Sequence, residues 1–306
     1  MQGLEISKRF WTEYGKPLFE ERFPEYMEYI AVGLVGQGSE CYGFDDEISR
    51  DHDFEAGFFV FLPDENTVDR RTEFLMERAY NSLPKEFMGL KRSVLNPVGG
   101  NRHGIIRTAE FYEKLTGIST APTDFYDYLK LPDYALCEVT NGIVFYDGYG
   151  EFSKIRNAWL NIPTDIIYKK ICGYLIVMSQ TGEYNFNRCI KRNDMLSASL
   201  TANEFINAVF GASFYILGKP VPYYKWRFKA MENEDKLKGV CLALSKIVLG
   251  EKTEDNLSLC IKEVLLLLKE LNIPDIPTDD LQKAALALNS KIQNPDIRNL
   301  NILSAI

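Results

Sequence analysis

Apolar and polar positions follow two different textures along the 306 residues. Between Glu5 and Ile30, Phe10, Tyr14, Leu18 and Phe19 recur near helical spacing among Glu and Arg residues, which predicts one or two amphipathic helices. Two short unbroken apolar runs come next. "YIAVGLV" ends at a glycine and "DFEAGFFVFL" is bounded by Pro63 and Asp64, so length and flanks predict buried strands. Helical spacing returns over 68–81 and near Thr108 to Leu115, on either side of the Gly-, Pro- and Asn-rich stretch "LNPVGGNRHG". "YALCEVTNGIVFYDG" reads as two strands joined through Asn141-Gly142, a strong short hairpin signal. After about residue 155 the strand signals fade, and apolar residues fall at three and four spacing in segments that open on Thr or Asp and close on Gly. The pattern predicts an α+β protein: a small mixed sheet with flanking helices over 1–155, then an α-helical domain over 156–306.

Length agrees with that division, since domains of roughly 150 residues each bury most of their apolar surface. The formal net charge of -8 argues against strong generic nucleic-acid binding, which draws on a surplus of Lys and Arg. The six cysteines show neither a CxxC nor a ligand spacing, so no zinc site or disulfide framework is expected and a reducing compartment is. The N-terminus lacks a basic flank before an apolar core, and no apolar stretch reaches the ~18 residues of a membrane span. A cytoplasmic protein without membrane association is the expectation.

Candidate chemistry gathers in the acidic loop between the two apolar runs. On a strand, Asp51 and Asp53 would share a face about 6.6 Å apart, with His52 pointing the other way into a packing or supporting role. Such a carboxylate pair suits Mg²⁺, which prefers hard oxygens shared with substrate phosphates. The Gly38-Ser39 turn just ahead would offer backbone N–H groups and a hydroxyl to a phosphate. Glu138, an acid within an apolar stretch read as strand, needs solvent, a partner or a metal, and would complete a three-carboxylate set; Asp147 is the alternative. Asp45, Asp46 and Glu47 are expected in an exposed turn. His103 lies in a stretch with Arg102 and Arg107, read as a surface loop or as a loop closing on a triphosphate. In the helical half, Asn185, Arg188 and Arg192 fall on one face suited to phosphate. "PVPYYKWRF" sets Lys225 among aromatics that could stack a base, although Tyr223 and Trp226 equally suit packing.

Gly38-Ser39, eleven residues, then Asp51-His52-Asp53 resembles the signature of the DNA polymerase β-like nucleotidyltransferase superfamily. "GLVGQGSECYGFDDEISRDHDF", "EVTNGIVFYDG", "YNFNRCIKRND" and "VPYYKW" together resemble a bacterial family known as domain of unknown function 4037. That likeness implies a nucleotidyltransferase-like mixed sheet followed by a helical half. It implies metal-dependent transfer of a nucleoside monophosphate from a nucleoside triphosphate to an unknown acceptor, which could be a small molecule, a protein or RNA, with release of pyrophosphate. Asp51, Asp53 and Glu138 would hold Mg²⁺ or Mn²⁺ and act in catalysis; Gly38, Ser39, Arg188, Arg192 and Lys225 would hold the nucleotide. One departure stands out: the superfamily's third acid is usually Asp, and here it is Glu. The same fold would also serve a non-catalytic nucleotide sensor or regulatory partner.

Overall fold

The computed structural model describes residues 2–50, 55–92, 102–250 and 252–306. It is a mixed α+β chain that divides into two compact units, residues 1–122 with 135–161, and residues 123–134 with 162–306.

The first unit is built on a four-stranded mixed sheet. In chain order come α1 (Gly3–Phe10), a π-helical turn at Trp11–Gly15, α2 (Lys16–Arg22), β1 (Ala31–Leu34), the short α3 (Ser39–Tyr42), β2 (Phe59–Leu62) and α4 (Arg70–Ser82). A two-residue ribbon, β3 (Glu86–Phe87) with β4 (Leu90–Lys91), precedes β5 (Gly104–Arg107) and α5 (Thr108–Thr116). The strand order is β5-β2-β1-β6, with β6 spanning Ile143–Asp147 and followed by α8 (Glu151–Leu160). β2 is antiparallel to β1 and parallel to β5. Both faces of β2 are covered, which is why its sequence is continuously apolar rather than alternating. Val60 and Leu62 turn toward Phe10, Trp11, Phe58 and Tyr80. Phe59 and Phe61 turn the other way, onto Phe111 of α5 and Phe152 of α8, the Phe61 and Phe152 rings stacking at 4.0 Å.

The hairpin expected over 134–147 is not formed. Residues Asp133–Thr140 make a helix, α7, and only Ile143–Asp147 is a strand. Ala135, Leu136 and Val139 are buried at helical spacing, and Asn141-Gly142 ends the helix instead of turning a hairpin. Both structures call for a positive φ at glycine, so the dipeptide alone does not separate them. Gly142 has φ +66°, and a Cβ there would stand 2.1 Å from the Leu34 carbonyl oxygen, so only glycine lets this turn lie against β1. Arg156 of α8 closes the helix end by donating to the carbonyls of Thr140 (2.6 Å), Asn141 (2.9 Å) and Gly142 (3.2 Å).

The second unit is helical. It contains α6 (Phe125–Leu129), α9 (Thr164–Met178), a π-helical stretch at Ser179–Asn185, α10 (Phe186–Lys191), α11 (Met195–Ile216), α12 (Arg227–Glu232), α13 (Lys238–Leu249), α14 (Glu254–Leu267), α15 (Leu281–Ser290) and α16 (Pro295–Asn299). Side-chain caps start several of them, with Asp194 accepting from Ser197 N–H, Thr253 from Asn256 N–H and Asp280 from Lys283 N–H. The core joins α9, α11, α13, α14 and α15 through residues such as Leu175, Phe205, Leu244, Val264 and Leu288. Charge is buried here too. Lys169 Nζ donates to Asn289 Oδ1 (3.0 Å) and to the carbonyls of Arg298 (3.1 Å) and Leu300 (2.7 Å). Lys170 Nζ donates to Asp133 Oδ1 (2.8 Å) and to the Ala305 carbonyl (2.9 Å). Asp133 also accepts from the hydroxyls of Tyr174 and Tyr215. No helix among the described residues is long and apolar enough to cross a membrane.

Candidate functional site

Register brings four chain segments to one end of the sheet. Gly33 pairs with Phe59, Leu34 with Ile143, and Phe59 with Gly104. The C-terminal end of β1 therefore lies beside the starts of β2, β5 and β6. Among the described residues, those that follow β1 and precede β2, β5 and β6 meet there: the Gly36–Ser39 turn, residues 55–58, Arg102 with His103, and the end of α7.

The glycine turn is pinned from α7. Asn141 Oδ1 accepts from Gly36 N–H and its Nδ2 donates to the Gly36 carbonyl, both at 2.7 Å. The Gly142 N–H also reaches the Cys41 carbonyl at 2.9 Å. This two-sided hold on Gly36 fixes the exit of β1. Asn141, assigned to a hairpin from the sequence, is thus a positioning residue for the turn.

Two buried carboxyls flank that turn. Glu138, expected on a strand, sits on α7 at 4% exposure with Oε2 accepting from Gln37 Nε2 at a long 3.4 Å. Glu40, which the sequence reading passed over, is 8% exposed. Its carboxylate folds back against the Cα of Gly38, accepts from the Ser39 hydroxyl at 3.3 Å and faces Arg102 at 3.8 Å. Burial raises the pKa of both acids; its own backbone N–H, then Arg102 and Ser39, offset this in part for Glu40, and Gln37 does so for Glu138. Between them, the buried Cys41 thiol is pushed well up by burial and then by Glu40, with smaller upward effects from Glu138 and Asp45. Asp45 is not part of an exposed turn: Oδ2 accepts from Gly3 N–H at 2.9 Å, and Oδ1 is buried without a hydrogen-bond partner among the described residues. Asp46 and Glu47 are exposed.

His103 is no surface residue either. Its ring is largely buried, with Nε2 2.8 Å from Glu55 Oε1, and it lies in the space that a side chain at residue 57 would fill. A Cβ on Gly57 would stand 2.3 Å from His103 Cδ2. Burial lowers the imidazole pKa to about 4, with Arg92 and Arg102 acting in the same direction, so the ring is neutral at neutral pH. Arg107 is equally structural, buried and donating to Pro63 O, Val68 O and Glu73 Oε2.

The other sequence candidates divide as follows. Gly38 (φ +119°) and Ser39 stand at the turn and at the start of α3. Asp51, His52 and Asp53 lie outside the described residues. Asp147 sits at the far end of β6, opposite Ala31 and about 13 Å along the strand from Ile143. Its oxygens accept from Gly150 N–H and Ser153 N–H, both at 2.8 Å, so it braces the start of α8. Arg188, Arg192 and Lys225 belong to the helical unit and are exposed. Arg188 lies over the Tyr184 ring, and Lys225 over Trp226. Arg192 stands at the C-terminal end of α10, where the chain breaks before Asp194 starts α11.

No group of three His, Cys, Asp or Glu residues suited to a metal is present among the described residues. Glu40 and Glu138 nevertheless supply hard oxygen donors: the burial of Glu40 is offset by its own backbone N–H, the Arg102 guanidinium at 3.8 Å and the Ser39 hydroxyl, and that of Glu138 by one amide, so a divalent cation would add compensation that Glu138 in particular lacks. They fit a Mg²⁺ site in donor type, with further carboxylates required to complete it.

Residues 128–227 match the model of a family described as a domain of unknown function (DUF4037). That stretch contains Glu138, Arg188, Arg192 and Lys225, and ends short of the Gly38–Asp53 segment on its N-terminal side. No curated protein and no solved structure matches the chain.

Proposed function

We propose that the first unit carries out metal-dependent nucleotidyl transfer, moving a nucleoside monophosphate from a nucleoside triphosphate to an acceptor. The observation that supports this reading is the convergence of the Gly36–Ser39 turn, the buried Glu40 and Glu138 carboxyls and the start of β2 at one end of the sheet. The Asp51-His52-Asp53 triplet lies just ahead of β2 in sequence. In the proposed step, an acceptor oxygen bonds to the α-phosphorus and the bond from that phosphorus to the bridging oxygen breaks. Pyrophosphate leaves with the electron pair, and the acceptor's proton passes to a carboxylate, for which Glu138 is the candidate. Asp51, Asp53 and Glu138, with Glu40 as an added donor, would hold Mg²⁺ or Mn²⁺. When bound, the metal would neutralise phosphate charge and orient the phosphates. Gly38 and Ser39 would take a phosphate in place of the Glu40 carboxylate that now accepts the Ser39 hydroxyl.

The test is incubation with each α-labelled nucleoside triphosphate, Mg²⁺ or Mn²⁺ and a metabolite, RNA and protein extract, with pyrophosphate detection. Release that requires the metal and disappears in Asp51→Asn and Asp53→Asn supports the proposal; release indifferent to both substitutions overturns it. Triphosphate binding without release would favour the nucleotide sensor, for which the Glu40 carboxylate already resting on the glycine turn is the specific support.

A further inference from the structure

Helix α11 is almost wholly apolar from Ala208 to Ile216 and is buried throughout that stretch, as a helix without a polar face must be. Its N-terminal turns keep the apolar character and lose the cover. Met195, Leu196 and Leu200 are all exposed, Leu196 at 83%. Leu196 and Leu200 stand about 6 Å apart along the axis on one face of the helix. Met195 and Ser199 form the adjoining flank, and there Lys252 Nζ donates to Ser199 Oγ at 3.1 Å. That bond ties the turn after α13 to α11, and α13 ends at this turn on Val248 and Leu249, the latter 87% exposed. Single exposed leucines are ordinary surface, whereas several on neighbouring elements, on the order of several hundred Å² together, mark a face for association.

The charges beside this face select its occupant. Lys191 and Arg192, at the end of α10, lie beyond one end of the leucine pair, and Glu204 lies beyond the other; all three are exposed. Arg192 precedes Leu196 by the same four positions that separate Leu200 from Glu204, so charge reverses sign about the midpoint of the pair. Asp194 does not upset this balance, because its carboxylate turns back to accept from Ser197 N–H at 3.0 Å. An anionic membrane calls for cations all along the polar border of such a face. A second copy of the same face, laid antiparallel, finds each charge opposite its complement.

We infer that this face binds a second copy of the chain about a twofold axis passing between Leu196 and Leu200. Each Leu196 then meets Leu200 of the second copy, each Arg192 stands against Glu204 of the second copy, and Leu249 closes the flank. The leucines with their charged border are of the order of the ~800 Å² per partner that a standard interface buries. The inference stands independently of the nucleotidyl-transfer reading.

The experiment is sedimentation velocity of the full chain from micromolar to sub-millimolar concentration, where a reversible monomer–dimer equilibrium is expected. Leu196→Glu/Leu200→Glu should weaken association by at least about tenfold. Its monomer should keep the helical circular dichroism of the wild type, since both positions are exposed and glutamate suits the first turns of a helix. Arg192→Glu and Glu204→Arg should each weaken self-association about tenfold by setting like charges opposite one another. Mixed in equal amounts, these two variants should pair with each other, because both of the twofold-related contacts are then opposite in sign. A wild type that stays monomeric, a dimer indifferent to Leu196→Glu/Leu200→Glu, or charge variants that fail to pair on mixing overturns the inference. So does a monomer that binds phosphatidylserine vesicles through the same leucines.

Discussion

Buried charge is handled in opposite ways in the helical core and beside the glycine turn of the sheet unit. In the helical unit, Lys169 has three oxygen acceptors, and Asp133 receives an ammonium and two phenol hydroxyls. In the sheet unit, Glu138 has a single long bond to an amide, and Glu40 accepts from its own backbone N–H and from Ser39 at a long 3.3 Å while facing a guanidinium at 3.8 Å. Satisfied buried ions specify packing, whereas weakly compensated ones cost stability at rest and are tolerated where chemistry needs them. The weakly compensated pair is the one that lies at the proposed site, and it is there that the contrast can be tested.

The contrast is broken most directly by removing one ion from each unit. Lys170→Met strands Asp133 in the helical core and should cost about 3–5 kcal/mol in urea unfolding. Glu138→Gln should change stability by less than about 1 kcal/mol, with any gain seen above the usual carboxylate pKa, because the buried acid is already poorly compensated. Equal losses from the two would sink the comparison. Gly142→Ala drives a Cβ toward the Leu34 carbonyl at positive φ and should cost about 3 kcal/mol, with faster hydrogen exchange over Gly36–Ser39 reporting a loosened turn.

A pH series sharpens the electrostatic side. The His103 pKa falls from 6.5 to about 4 on folding, so between those values the unfolded chain binds the extra proton. Stability from this group is complete above pH 6.5 and is lost as pH falls through 4, on the order of 2–3 kcal/mol. Glu40 and Glu138, with raised folded pKa values, slope the opposite way, favouring the folded state at low pH and losing that contribution as pH rises. The difference between wild type and His103→Gln isolates the histidine, and identical pH profiles would refute the assignment. The smallest effect is expected at Arg188→Gln, exposed on α10, with stability unchanged within about 0.5 kcal/mol. A loss of triphosphate affinity there, measured by titration, would give the residue a ligand role that its packing does not require.

Much of the framework was legible because burial leaves local marks. β1 and β2 announced themselves as short apolar runs, and α4 and α5 as periodic segments ended by Ser82 and by Gly117. The site was harder to read for two physical reasons. Asn141-Gly142 obeys the same φ requirement at a helix end as in a hairpin, so Glu138 was placed on the wrong kind of element. The partners that define Glu40, Asn141 and His103 are Arg102, Gly36, and the empty Cβ position of Gly57. These contacts join segments whose distance in sequence carries no periodic signal. The Asp51 and Asp53 pair remains a reading of sequence alone.

Lys169 and Lys170 stand next to each other on α9, so their side chains leave the axis about 100° apart. One is held by Asn289, Arg298 and Leu300, and the other by Asp133 and Ala305. Two bearings set at that angle index the helix like a keyed shaft: a small turn about its own axis would pull both ammonium groups off their oxygens at once. The two lysines therefore add a directional hold on the rotation of α9 to the non-directional packing of Ile171, Leu175 and Met178.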